Sequence, residues 1–70
     1  MWIGWKTAKV FTNIETGARL QVGKKGIIME VPGQTPKIVV RWENERNPDE
    51  EWDRIFQQLA LKKAILWCYD

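Results

Sequence analysis

The sequence predicts a single domain of the mainly β class, and three observations favour it. Apolar and polar residues alternate along residues 18–22 and 37–43, as they do in strands that bury one face. Glycine or proline punctuates 23–26 and 32–36, where the chain would reverse between strands. A chain of 70 residues can enclose only one hydrophobic core. We therefore expect one small domain over residues 1–70.

The first strands are indicated by composition as well as by alternation. Residues 2–11 are rich in aromatic and β-branched types, with an interruption at Gly4. The segment 13–17 contains Asn, Thr and Gly, which favour a turn. The alternating residues 18–22 follow it directly. We expect strands on both sides of this turn.

Two further strands are predicted in the middle of the chain. Residues 27–31 and 37–43 flank a loop that contains two prolines and a glycine. Alternate residues of the second strand share one face, which leaves Lys37 and Arg41 on the exposed side. The core residues expected here are Ile28, Val31, Ile38, Val40 and Trp42.

The last third of the chain carries two competing patterns. Asn47 and Pro48, followed by three acidic residues, are typical of a helix start. From Trp52 onward the apolar residues keep a helical spacing, and this periodicity favours a helix. The same residues also fit a short strand, a single helical turn over 57–61 and a closing strand over 64–69. The residues alone leave both alternatives open.

The order of the middle elements resembles a known architecture. A glycine-bounded bend precedes the apolar strand 26–31, a short turn and the segment 39–43. An aromatic residue follows at Trp52. In this order, residues 17–60 resemble the KOW and Tudor-type SH3-like small β-barrels. The resemblance implies five short strands in a barrel with a 3₁₀ turn over 57–61. The alternative is an α+β fold with a three-stranded antiparallel sheet and one C-terminal helix.

Charge is distributed unevenly along the chain. The formal net charge is only +2. Residues 1–42 hold seven Lys and Arg against two Glu, a balance of +5, whereas 43–53 hold six acids against one Arg, a balance of −5. Such polarity fits a basic binding face beside an acidic loop, and it also fits a solvated surface of mixed charge, which is the commoner case.

Several classes of enzyme site are excluded by absent residue types. The chain has no His and no Ser, so it cannot build a Ser-His-acid or Cys-His arrangement. Cys68 is the only cysteine, so neither an internal disulfide nor a tetrahedral zinc site can form. No glycine-rich phosphate loop is present. We expect no enzyme activity from the single chain, no cofactor and no metal, and we interpret Cys68 as a structural residue of a C-terminal strand.

The compartment is predicted from the same features. No apolar run has the length of a signal peptide or of a membrane span. A single cysteine fits a reducing compartment. We expect a cytoplasmic protein that does not associate with membranes.

Five tryptophans supply most of the aromatic surface. Trp42 and Trp67 are expected in the core, with Trp52 at its rim. Trp2 and Trp5 flank Gly4 and would lie on opposite faces of a strand, so at least one of them should be exposed. An exposed indole beside lysines suits a protein hot spot or a stacked base.

Three functions are compatible with these features. The first is a non-catalytic protein-interaction module that docks on a protein partner, or self-associates as a homo-oligomer, through a basic and aromatic face and a sheet edge. The second is a DNA- or RNA-binding small barrel. Its phosphate contacts would come from six cations: Lys6, Lys9, Lys24, Lys25, Lys37 and Arg41. The third is an oligomeric small-barrel enzyme whose site forms between subunits. We adopt the first, because the acidic stretch would weaken nucleic-acid binding. The partner-binding residues predicted are Trp2, Trp5, Lys6, Lys24, Lys25, Lys37 and Arg41.

Overall fold

The computed structural model describes residues 1–69 as a mixed β-sheet of six strands with one helix on one face. In sheet order the strands are β5, β4, β3, β2, β1 and β6, and only the β1–β6 pair is parallel. The elements are β1 (Trp2–Trp5), β2 (Val10–Asn13), β3 (Arg19–Val22), β4 (Gly26–Glu30), β5 (Lys37–Arg41), α1 (Pro48–Leu61) and β6 (Ile65–Tyr69).

The turn predicted between β2 and β3 is confirmed, and Asn13 organises it. The Asn13 side-chain oxygen accepts hydrogen bonds from the backbone N–H groups of Glu15 and Thr16, both at 3.0 Å. Gly17 has a φ of +75°, a conformation that glycine adopts without steric cost. Local side-chain chemistry therefore closes this hairpin.

Helix α1 begins and ends with recognisable capping structures. Asn47 accepts a hydrogen bond from the backbone N–H of Asp49 at 2.9 Å, and Pro48 occupies the first helical position. At the other end Lys63 has a φ of +54°, and the Ala64 N–H donates to the Leu59 carbonyl at 2.8 Å. The helical pattern is thus confirmed over 14 residues, and the 3₁₀ turn that the barrel resemblance implied is wrong.

The core lies where α1 crosses the centre of the sheet. Trp52 stacks on Phe11 at 4.8 Å between ring centroids and on Phe56 at 5.5 Å. Its indole N–H donates to the Val10 carbonyl at 3.2 Å. Gly4 lies beneath the indole, and a Cβ there would be 2.9 Å from Trp52 Cζ2. One aromatic side chain therefore anchors the helix over β1 and β2.

Several core predictions are wrong, because the core is displaced from the middle of the sequence. Ile28, Ile38 and Val40 are exposed, and Val31 and Trp42 are only half-buried, with Trp42 packed against the core. Helix α1 packs on β1 and β2 through Trp52 and also contacts β3 and β6, so β5 extends beyond its cover. Lys37 and Arg41 are exposed as expected.

The expected roles of two tryptophans are also reversed. Trp52 is 2% exposed, whereas Trp67 is 61% exposed. Trp67 belongs to the closing strand, which is confirmed at Ile65–Tyr69 but lies at the sheet margin. An edge strand has a neighbour on one side only, so its rings gain less cover.

The architecture is mainly β, but it differs from both detailed predictions. The described strands form an open sheet with β5 and β6 at its two edges, and not a five-stranded closed barrel. The three-stranded alternative predicts the helix correctly but omits the strand after it. Helix α1 carries the chain from one edge of the sheet to the other, where β6 pairs with β1. Within residues 1–69, helix α1 lacks the length and apolarity required to cross a membrane.

Candidate interaction edge

Strand β5 forms one edge of the sheet and is exposed along its whole length. All five of its residues are exposed, including the apolar Ile38 at 54% and Val39 at 45%. Among the described residues no further strand pairs with it. The backbone N–H and C=O groups on its outer side are therefore free to pair with another chain.

The inner side of β5 fits closely against β4. The register changes between Ile27, which pairs with Val40, and Ile28, which pairs with Ile38. Val39 is thus the extra residue of a bulge, a feature that bends and twists an edge. A Cβ on Gly26 would collide with the Val40 carbonyl oxygen, so only glycine allows this approach. The close approach of β5 to β4 therefore depends on Gly26, for which the sequence pattern predicts only a bend.

A groove lies at the end of β5 where Arg41 leaves the sheet. It encloses about 740 Å³ between the turn 23–26 and the segment 41–45. Backbone bonds hold the two sides together: the Trp42 N–H donates to the Lys25 carbonyl at 3.0 Å, and the Arg46 N–H donates to the Lys24 carbonyl at 2.9 Å. We call this the basic groove, lined by Gly23, Lys24, Lys25, Gly26, Ile28, Ile38, Arg41, Trp42, Glu43 and Glu45.

The cations around β5 are only partly offset by neighbouring acids. Within residues 1–69, four of them take part in no ion pair: Lys24, Lys25, Lys37 and Arg41. Part of the acidic stretch is already used elsewhere, because Asp49 pairs with Lys9 and Glu51 pairs with Arg46 and Arg54. Two carboxylates, Glu43 and Glu45, do line the groove. The result is a modest local excess of positive charge.

The structure does not bring the seven predicted binding residues to one surface. Lys24, Lys25 and Arg41 line the basic groove, and Lys37 lies at the opposite end of β5. Trp5 and Lys6 lie at β1, four strands away or about 19 Å at the usual spacing between strands. Trp2 is half-buried and packs against the core. The predicted set therefore divides between the β5 edge and the region of β1, which lies inside the sheet.

Sequence reasoning missed the aromatic surface at the second edge. Trp5 stacks on Tyr69 with ring centroids 4.5 Å apart, and Trp67 lies 6.3 Å from Tyr69. We call Trp5, Trp67 and Tyr69 the aromatic cluster. All three side chains are exposed. The parallel pairing of β1 with β6 creates this cluster. A local sequence pattern cannot predict contacts between residues so far apart in the chain.

The remaining titratable groups include one free thiol and one carboxyl with a lowered pKa. Within residues 1–69, no three or more His, Cys, Asp or Glu side chains lie close enough to hold a metal ion. Cys68 is exposed and has a free thiol. The Met1 ammonium donates to Glu15 Oε1 at 2.6 Å, and this hydrogen bond and its charge hold the pKa of Glu15 below its usual 4.5.

Comparison with known proteins found no family model, no curated protein and no solved structure that matches the chain. A functional assignment therefore depends on the β5 edge, the basic groove and the aromatic cluster.

Proposed function

We propose that this chain is a non-catalytic protein-interaction module that binds an extended segment of a partner protein along β5. The exposed and unpaired β5 edge carries this proposal. A peptide that adds to such an edge gains main-chain hydrogen bonds, and its alternate side chains meet the surface of the sheet. A five-residue strand offers a track of about 17 Å.

Charge around the edge indicates the composition of the bound segment. Lys37 and Arg41 stand at the two ends of β5, with apolar residues between them. The basic groove adds Lys24 and Lys25 at one end. A matching segment has an apolar centre and acidic residues on both sides. Exposed ion pairs contribute only about 0.2–1 kcal/mol each, so these charges set orientation and association rate more than affinity.

A nucleic acid is a poorer match to the same surface. Lys9 is paired with Asp49, and Lys6 follows β1, four strands away from β5. The basic groove contains two carboxylates that would repel phosphates. The cations therefore form no continuous track of the kind that single strands follow. Composition supports the non-catalytic part of the proposal, since the chain lacks His and Ser.

Selection from a displayed library of random linear peptides tests the proposal. We expect enriched peptides to have an apolar centre flanked by Asp or Glu. In the triple variant Lys24→Glu, Lys25→Glu and Arg41→Glu, affinity for a selected peptide should fall at least about tenfold at low salt, and less at high salt. Calorimetric titration measures this change.

A matched control separates local charge from net charge. The variant Lys6→Glu, Lys62→Glu and Lys63→Glu changes the net charge equally, but away from β5, so it should retain affinity within about threefold, since distant exposed charges are screened. Equal losses in both triple variants would show that the basic groove has no specific role. Failure to enrich any peptide, or tighter binding of an oligothymidine than of the peptides, would reject the protein-binding proposal.

A further inference from the structure

Strand β6 forms the second edge of the sheet and differs from β5 in its chemistry. Its five residues, Ile-Leu-Trp-Cys-Tyr, carry no charged side chain. Trp67 is 61% exposed, and Leu66 is 54% exposed. Trp5 and Tyr69 extend this apolar surface onto the sheet. Exposed apolar side chains at an uncharged sheet edge make this edge a candidate interaction site.

We propose that two copies of this chain associate through their β6 edges as antiparallel strands, in a twofold-symmetric dimer. The uncharged strand makes self-pairing possible, because no like charges face each other across the symmetry axis. The β5 edge is less suited to self-pairing than β6. Antiparallel pairing centred on Val39 would place Lys37 opposite Arg41 of the other copy, and like charges repel. Pairing of β5 with β6 would be a heterologous contact, which leads to a ring or a filament and not to a twofold-symmetric dimer.

The size of the surface fits a weak dimer. The exposed parts of Trp5, Leu66, Trp67 and Tyr69 together amount to about 350–450 Å² per copy, judged from the area that such side chains can bury. Stable interfaces bury about 800 Å² per partner. We therefore expect a dissociation constant between about 10 µM and 1 mM for the dimer.

A groove beside β6 can accept side chains of the second copy. It is an open, shallow depression of about 340 Å³ between α1 and the edge strand, and its lining is mainly apolar. Phe56 lies on the helix side of this groove, with Ile65, Leu66, Trp67 and Cys68 on the strand side. The dimer would leave both β5 edges free at its two ends, so it does not depend on the function proposed for β5.

Sedimentation equilibrium of the reduced protein from 10 µM to 1 mM tests the dimer. We expect the average mass to rise towards twice that of one chain. Trp67→Ala and, separately, Leu66→Lys should each weaken association at least tenfold. The control Leu61→Ala removes a helix side chain that is 81% exposed, and it should change association less than twofold. Circular dichroism verifies that each variant is folded.

The native thiol provides a second readout of the contact. In antiparallel pairing centred near Trp67, the two Cys68 residues lie within about 8 Å of each other, in reach of a short bismaleimide whose two alkenes each add one thiol. Cross-linked dimer should form in the unmodified chain and decrease in Trp67→Ala. A monomeric mass up to 1 mM would overturn the proposal, as would equal cross-linking in both proteins or a dimer insensitive to both β6 substitutions.

Discussion

Gly4 and Trp52 are packed so closely that each limits the size of the other. In Gly4→Ala the new Cβ would lie 2.9 Å from Trp52 Cζ2 and 3.3 Å from Phe11 Cε1. Overpacking of this kind costs about 1–3 kcal/mol, while replacing glycine within a strand returns about 0.5–1 kcal/mol. We therefore expect Gly4→Ala to lower the free energy of unfolding by about 0.5–2 kcal/mol.

The partner substitution Trp52→Phe removes the indole atoms nearest to Gly4. Alone, it should cost about 2–4 kcal/mol, because ring area is lost and the Val10 carbonyl loses its hydrogen bond. In this background Gly4→Ala should be neutral or stabilising, since the added methyl group now fills space. The expected coupling energy between the two sites is about 1–2 kcal/mol.

Urea unfolding followed by far-UV circular dichroism measures this cycle, because tryptophan fluorescence would change with Trp52 itself. Gly23→Ala serves as the control: its Cβ would meet nothing closer than the Gly26 carbonyl oxygen at 3.6 Å. It should therefore change stability by no more than about 1 kcal/mol, and towards greater stability. If Gly4→Ala costs the same with Trp52 as with Phe at that position, the close packing is not the cause.

Two further predictions concern the left-handed Lys63 and the exposed Glu15. Lys63→Gly should raise the melting temperature by several degrees. Glycine adopts its φ of +54° without the strain of about 1–2 kcal/mol that this conformation costs other residues, and this exceeds the entropic cost of glycine, about 0.5–1 kcal/mol. Lys9→Gly, at φ +58°, should gain less, since it also removes the ion pair with Asp49. The pKa of Glu15 is lowered in the folded chain, so its contribution is present above the usual 4.5 and is lost as pH falls through the folded pKa. An NMR titration should show this shift and its disappearance on acetylation of the Met1 amine; an ordinary pKa before acetylation would contradict it.

The strands could be predicted from local patterns, but their burial could not. Alternation over 18–22 and punctuation around the central loop predict β3, β4 and β5 within a few residues. The same alternation does not reveal whether a face is covered. Ile38 and Val40 have the pattern of buried residues, yet α1 does not extend over them. Burial depends on where the helix lies, which is a long-range property.

The helix could also be predicted from local signals, whereas the grouping of the candidate site residues could not. Asn47 and the acids that follow it cap α1 through local contacts, so the sequence signal was sufficient and the barrel resemblance misled. The grouping of Lys24, Lys25 and Arg41 depends on how two backbone segments are joined across the β4–β5 pair. The stacking of Trp5 on Tyr69 joins residues 64 positions apart, which no local pattern encodes.

The parallel pairing of β1 with β6 also has a consequence for the order in which the molecule forms. Strands β1 to β5 each pair with a neighbour in sequence, so their contacts close short loops at low entropic cost. Strand β6 must return across the whole sheet, and its contacts with β1 span about sixty residues. Such nonlocal contacts form late and slowly. The last strand to dock is then also the first that can detach, and its amides should exchange with solvent through openings that leave β2 and β3 intact.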